Sequence, residues 1–268
     1  MTKVIYYNTY DVTSQVKKGG NAIGSPVGKW ILQCAKAAAI VNCKSVFGAP
    51  TLRFRMVVNY EDGTCETIVS GKDWKYDFSP VLFNCIYGGE DYDARREQKG
   101  WNMFGFKEQD WRPVVIQEAP KGVLRPQIAQ PVKIMERYDI RKVTKLTAEQ
   151  ITAACKSTKR TVDPSAFVLD MGQNLAGFPE ITVRGKKGQK ITLLVSESLT
   201  DEGACNQRQT GRQHYYEYTL KGEGVETWHP RFFLLWLPVY SGGRRCAERA
   251  EESLPSSGDP EDTVVLCL

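Results

Sequence analysis

Two sets of side chains in this sequence are suited to chemistry, a run of carboxyl groups and a group of tryptophans. Glu90, Asp91 and Asp93 stand beside Arg95 and Arg96, and a pair of carboxyl groups, one protonated and one ionised, is a common general acid–base device. Acids and bases this close in sequence usually satisfy one another, so these residues favour a surface or interdomain salt-bridge cluster over a reactive pair. Trp74, Trp101 and Trp111 carry ring planes that suit the apolar face of a pyranose, yet tryptophan in a β-rich chain more often packs a core or a linker. His214 and His229 are the only histidines. Neither has a serine or cysteine placed as a nucleophile partner, so both read as structural. The residues alone therefore assign no catalytic position.

They point to no cofactor and no metal either. Eight cysteines occur in 268 residues, but a chain of this length does not need a disulfide framework, and no zinc-like pair of Cys-x-x-Cys strings is present. Gly172 and Gly177 have the spacing of a glycine loop without the Lys-Ser or Lys-Thr that a phosphate loop requires. Around them, Asp170, Gln173 and Asn174 are suited to hydrogen-bonding a turn, which is favoured over a ligand site. The formal net charge of +5, from 36 basic and 31 acidic residues, is mild and spread out, which disfavours a nucleic-acid partner. Residues Met1–Thr13 lack the apolar core of a signal peptide, and no segment approaches the ~20 apolar residues of a membrane span. As written, the chain is expected in the cytoplasm with no membrane contact.

Strands are expected to position these side chains. From Thr51 to Tyr60, Leu52, Phe54, Met56, Val58 and Tyr60 alternate with Arg53, Arg55 and Asn59, the period-2 pattern of a half-buried strand. Glu61-Asp62-Gly63 then turns the chain into Cys65–Val69, giving a hairpin. The same logic joins Ile181 and Val183, through Gly185–Gly188, to Ile191, Leu193 and Val195. His214–Leu220 forms a further strand before Lys221–Gly224. One helix is expected over Leu146–Cys155, short and peripheral, with Thr147 and Gln150 at capping-box spacing. Pro113–Pro131 contains four prolines and reads as a linker or extended crossing segment, which places a domain boundary near residue 125.

Several strings follow one another in a specific order: Tyr7–Thr13, Asn21–Gly24, Tyr60–Thr64, Tyr87–Arg95, Gly100-Trp101 with Trp111, the Gly-Gln-Asn-Leu-Ala-Gly-Phe turn at Gly172–Phe178, and Pro230–Phe232. In this order they resemble the bacterial α-L-rhamnosidases of glycoside hydrolase family 78, over about residues 4–24 and 47–232. Where that family would read Leu-Gly-Asn-Gly-Phe-Tyr-Asn, the chain has Val27–Gln33. A one-base shift of suitable codons converts one string into the other. Likewise Phe233–Gly242 shifts to Ser-Tyr-Tyr-Gly-Phe-Arg-Tyr-Ile-Gln-Val, the ending expected after Pro-Arg-Phe. Two frameshifts are inferred, the first restored near Val46 and the second not restored. Cys34, Cys43, Cys246 and Cys267 fall in the shifted stretches and need no functional explanation.

The resemblance implies a mainly β fold of two β-sandwich, jelly-roll-like domains. They comprise an incomplete N-terminal sandwich at 1–124, lacking its opening strands, and a concanavalin-like sandwich at 125–232. An out-of-frame tail at 233–268 is expected to have no evolved fold. In the family, terminal α-L-rhamnose is hydrolysed from glycosides with inversion, by an acidic pair in an (α/α)6 barrel that would follow this chain, with no cofactor beyond water. Neither acid maps onto these residues. The chain is thus expected to be a non-catalytic N-terminal fragment of an α-L-rhamnosidase, with rhamnose-containing glycans as the partners of its parent, an enzyme that could be exported. The alternative is a stand-alone carbohydrate-binding or interaction module. Glu90, Asp91, Asp93, Arg95 and Trp101 are the candidate sugar or interdomain contacts.

Overall fold

The computed structural model describes residues 4–28, 50–85, 88–118, 122–130, 132–173, 175–208 and 214–232, and the backbone of 261–267. The first shifted reading, Val27–Gln33, lies almost wholly outside these residues, as do Tyr87, Asn174 and the second shifted string. In chain order the strands of the first half are β1 (Val4–Tyr7), β2 (Arg55–Asn59), β3 (Cys65–Val69), β4 (Lys75–Tyr76), β5 (Val81–Cys85), β6 (Gly89–Asp93), β7 (Arg112–Pro113) and β8 (Val123–Pro126). They are followed by β9 (Lys142–Lys145), helix α1 (Ala148–Thr158), β10 (Phe167–Asp170), β11 (Ile181–Arg184), β12 (Lys190–Ser196), β13 (Tyr215–Thr219), β14 (Val225–Trp228) and β15 (Glu261–Cys267). The fold is mainly β, with α1 the only α-helix among the described residues.

The chain forms two compact units that interleave in sequence. The first comprises Met1–Val27, Thr51–Phe78 and Gln98–Met135; the second holds Ser79–Glu97 together with Glu136–Leu268 and Gly28–Pro50. β5 and β6 fall in the later unit because β6 pairs with β13. Pro113–Pro131, expected as a linker or an extended crossing segment, contains one strand. Val123–Pro126 pairs in parallel with β1, Tyr7 opposite Pro126, which a proline at the end of an edge strand permits.

Within the first unit the expected hairpin is present. Met56 stands opposite Ile68, and Met56 and Val58 point to the more covered side of β2 while its other residues are exposed. Asp62 fixes the turn by accepting the Thr64 N–H at 2.9 Å. All three sheets of this unit are two-stranded, and none of its described residues is buried. Its tryptophans supply local packing: Trp74 tilts against Phe54 at 5.4 Å, and Trp101 stacks on Trp111 at 6.5 Å.

The second unit carries the core. Its main sheet has the order β5-β6-β13-β12-β15-β10-β9, and β12 is buried from Ile191 to Ser196, the near-continuous apolar run of a strand covered on both faces. Leu169, Leu193, Val195, Tyr216 and Tyr218 pack with Ile181, Val183 and Trp228 of the β11–β14 pair. On the opposite face, Val168, Leu194 and Tyr215 pack with Ala153 and Ala154 of α1. The helix therefore seals one side of the sheet and is not peripheral. Its capping box forms as the spacing predicts: Thr147 Oγ1 accepts from the Gln150 N–H at 3.3 Å, and Gln150 Oε1 accepts from the Thr147 N–H at 3.0 Å.

One expectation fails in this unit. Ile181–Arg184 and Lys190–Ser196 do not form a hairpin, since β11 pairs with β14 while β12 pairs with β13 and β15. The reason lies in burial: β11 alternates buried and exposed, whereas β12 needs cover on both faces, so the Gly185–Gly188 turn carries the chain between layers. Within the tail, the backbone of Glu261–Cys267 forms a strand inside the main sheet, parallel to both neighbours. Its last five residues, Thr-Val-Val-Leu-Cys, are uncharged and rich in β-formers, which suits an interior strand whatever their origin.

Candidate functional site

The acidic string at 90–93 lies on β6, the interior strand between β5 and β13. Gly89 opens it with φ +86, and a Cβ there would collide with the Tyr215 carbonyl, so only glycine lets β6 approach β13 this closely. Successive residues of a strand face opposite sides. Glu90 and Tyr92 therefore share one face, and Asp91 and Asp93 the other.

Glu90 is fully buried. Its carboxylate accepts the Arg231 N–H at 3.1 Å (Oε2) and 3.3 Å (Oε1) and the Phe232 N–H at 3.1 Å. Burial raises its pKa above the ordinary carboxylate value, while these two backbone N–H groups, then the charges of Arg231 and His229, oppose the rise. The Arg231 guanidinium lies 5.9 Å from the Tyr92 ring centre. This is an anchor for the Pro230–Phe232 backbone, with the carboxylate committed to it.

Asp93 serves a different end. It accepts Arg95 Nε and Nη2, both at 2.8 Å, and the Arg95 backbone N–H at 3.1 Å, which caps the short helical turn Ala94–Arg96. The Arg95 side chain is the main cause of its lowered pKa. Asp91 is partly exposed and lies in register with Glu217 of β13. Glu217 in turn receives Lys190 at 2.9 Å and Arg160 at 3.9 Å. Trp101 belongs to the other unit, where its ring covers Gly24 so closely that a Cβ would have no room. Trp111 donates its indole N–H to Gln98 at 2.8 Å. The five candidate residues thus fall into four separate settings.

The sequence reading passed over a second set of polar groups. Glu226 is buried and accepts from Tyr218 Oη at 2.8 Å, the Lys221 N–H at 3.0 Å and the Gly222 N–H at 2.8 Å. Glu97 accepts from Tyr92 Oη at 2.9 Å and Lys221 Nζ at 2.7 Å. Tyr92, Tyr218 and Trp228 stack between these acids, and burial pushes both phenols well above their usual range. Only the alternation of Tyr216, Tyr218 and Leu220 hinted at this layer in the sequence. His214 is a buried structural histidine whose pKa burial lowers to about 4. Its ring sits edge-on to Tyr216 at 5.7 Å. At the glycine turn, Asp170 accepts the Gly172 N–H at 2.7 Å, the role expected of a turn residue. Cys85 is disulfide-bonded, while Cys65 and Cys155 carry free thiols.

What these carboxylates do is bind backbone N–H groups, phenols and arginine. Among the described residues no group of three or more His, Cys, Asp and Glu residues is placed to hold a metal ion, and no helix is long and apolar enough to cross a membrane.

A seven-stranded sheet covered by the β11–β14 pair on one face and by α1 on the other defines a mainly β domain whose buried carboxylates are structural. The chain belongs to the α-L-rhamnosidase family. Residues 1–136 match the alpha-L-rhamnosidase N-terminal domain, and residues 160–235 match the bacterial alpha-L-rhamnosidase concanavalin-like domain. An α-L-rhamnosidase of Streptomyces avermitilis is 34% identical over 236 residues, covering 86% of this chain and 21% of its own length. The chain therefore spans about a fifth of that relative. Among solved structures, the α-L-rhamnosidase of Dictyoglumus thermophilum superposes with a TM-score of 0.60 at 31% identity, over 70% of this chain and 20% of that one. The Streptomyces avermitilis enzyme complexed with L-rhamnose gives 0.51 at 33% identity, over 67% and 16%.

Proposed function

We propose that this chain is a non-catalytic N-terminal portion of an α-L-rhamnosidase, whose parent reaction removes terminal α-L-rhamnose from glycosides with inversion. The observation that carries this reading is the commitment of the buried carboxyl groups. Glu90 binds two backbone N–H groups, and Glu226 binds a phenol and two more. An inverting pair instead needs two carboxyl groups facing a shared water, ~6.5–9.5 Å apart. The match to the N-terminal and concanavalin-like domain models, over about a fifth of a full relative, supports the same reading.

The test is incubation of the purified chain with an aryl α-L-rhamnoside, alongside titration with free L-rhamnose. Neither turnover nor saturable binding is expected. Turnover that survives purification and disappears on substitution of Glu90 or Asp93 overturns the proposal. Saturable rhamnose binding without turnover replaces it with a carbohydrate-binding module.

A further inference from the structure

The edge of a β-sheet invites a further strand unless a charged side chain, a proline or a bulge blunts it. Most of the described strands that end a sheet carry such a device. A lysine, arginine or glutamate stands on β2, β3, β4, β7, β8, β9, β11 and β14. The register of β5 shifts between Val81 and Phe83. Strand β1, Val-Ile-Tyr-Tyr, has no charge, no proline and an unbroken register.

β1 also lacks the company its pairing calls for. Among the described residues it is joined to β8 alone, in parallel, whereas parallel sheets ordinarily have both faces covered and a stable sheet has more than two strands. Tyr6 is 58% exposed and Tyr7 45% exposed, on opposite faces, with Val123 and Leu124 of β8 beside them at 47% and 43%. The phase of the hydrogen bonds fixes which backbone groups lie open. The Tyr7 carbonyl accepts the Gln127 N–H at 2.9 Å, and the N–H and C=O of one strand residue point to the same side. Ile5 and Tyr7 therefore direct both groups at β8, while Val4 and Tyr6 direct theirs at the free edge.

We propose that β1 is a self-association edge, on which a second copy of this chain lays its own β1 antiparallel across a two-fold axis. An axis perpendicular to the sheet keeps each face on its own side, so residues pair within one face. With Ile5 on that axis, Val4 of each copy stands opposite Tyr6 of the other, and the outward N–H and C=O groups of both find partners. Self-pairing suits this strand because it is uncharged. The same geometry on β9 would set Lys142 and Lys145 among their own copies. Pairing also turns two two-stranded sheets into one of four strands. The contact is a strand of four residues per copy, well under the ~800 Å² per partner of a standard interface. Association is therefore weak, with a Kd on the order of 100 μM. This goes beyond the rhamnosidase reading and does not rest on it, since it concerns a backbone edge and no sugar.

The experiment is sedimentation velocity of the full chain from about 5 to about 500 μM, a range that brackets the expected Kd. A monomer–dimer equilibrium is expected. The double variant Val4→Lys/Tyr6→Lys sets like charges opposite one another and should weaken the dimer about tenfold or more, whereas Val4→Lys/Tyr6→Glu sets opposite charges across the same pairs and should restore it. Hydrogen exchange of the unaltered chain gives a readout that needs no variant. The Val4 and Tyr6 amides should slow as concentration rises, while those of Ile5 and Tyr7, already directed at β8, should change little. Should either variant not fold, this exchange pattern decides. A chain that stays monomeric at every concentration overturns the proposal and leaves the edge to a different chain. A dimer that both variants affect alike overturns it too, as do Val4 and Tyr6 amides whose exchange is independent of concentration.

Discussion

Glu90 offers the sharpest test of how the second unit is held together. Glu90→Ala removes the acceptor for the Arg231 and Phe232 N–H groups and leaves two part-buried donors without it. With water replacing part of the lost acceptor, and an acid no longer buried, a net loss of about 1–3 kcal/mol is expected. Glu90→Gln keeps one carbonyl oxygen for the same donors and should cost about 1 kcal/mol at acid pH. The pH dependence separates anchor from bystander. Burial raises the Glu90 pKa above its ordinary value of 4.5, so the folded state prefers the protonated acid. Its contribution is complete below that ordinary value and declines as pH rises through the raised one, by at most about 1.4 kcal/mol per pH unit. Glutamine does not titrate. The stability gap between the original chain and Glu90→Gln should therefore narrow from pH 4 to pH 8, measured by urea unfolding with tryptophan fluorescence. A gap that is constant or widens with pH refutes the argument, as does an alanine variant within about 0.5 kcal/mol of the original, the spread of neutral surface changes.

Two further substitutions test the layers around that anchor. Leu194 is fully buried between the sheet and the helix, so Leu194→Ala should destabilise by about 2–5 kcal/mol in the same urea titration; a loss under 1 kcal/mol would mean the helix does not seal that face. Thr147→Ala deletes one arm of the capping box and should cost about 1 kcal/mol, with reduced helical circular dichroism as the second readout.

Local chemistry was legible in the sequence, and distant partnership was not. The β2–β3 hairpin and the helix start could be read because each is decided within a few residues: alternation on one strand, an aspartate in the turn, Thr147 three positions before Gln150. The glycine turn between β11 and β12 looked like the turn of β2–β3, yet it joins two layers, because turn residues specify a reversal and not the strand beyond it. The same limit hid the interleaving of the units. Nothing local to Ser79–Glu97 states that β6 pairs in parallel with Tyr215–Thr219, since parallel pairing needs a long connection whose far end is remote in sequence. The strand at Glu261–Cys267 is hidden for a related reason, since both of its partners, β10 and β12, lie far back along the chain.

The acidic string shows why the candidate site was harder still. Glu90, Asp91 and Asp93 invited a common role because they are neighbours in sequence, but neighbours on a strand point to opposite layers. Once Gly89–Asp93 is a strand, Glu90 cannot share a pocket with Asp91 and Asp93 without breaking the pleat. The partners that define Glu90 lie 141 and 142 positions along the chain, beyond the reach of any spacing rule. Asp93, by contrast, meets Arg95 two positions away, and that pairing was legible as a salt bridge. In this chain a carboxylate's sequence neighbours reveal its role when it sits at the end of a strand, where the backbone turns back on itself. Inside the strand, the face it occupies decides the role, and the face is fixed by which other strands have come to lie beside it.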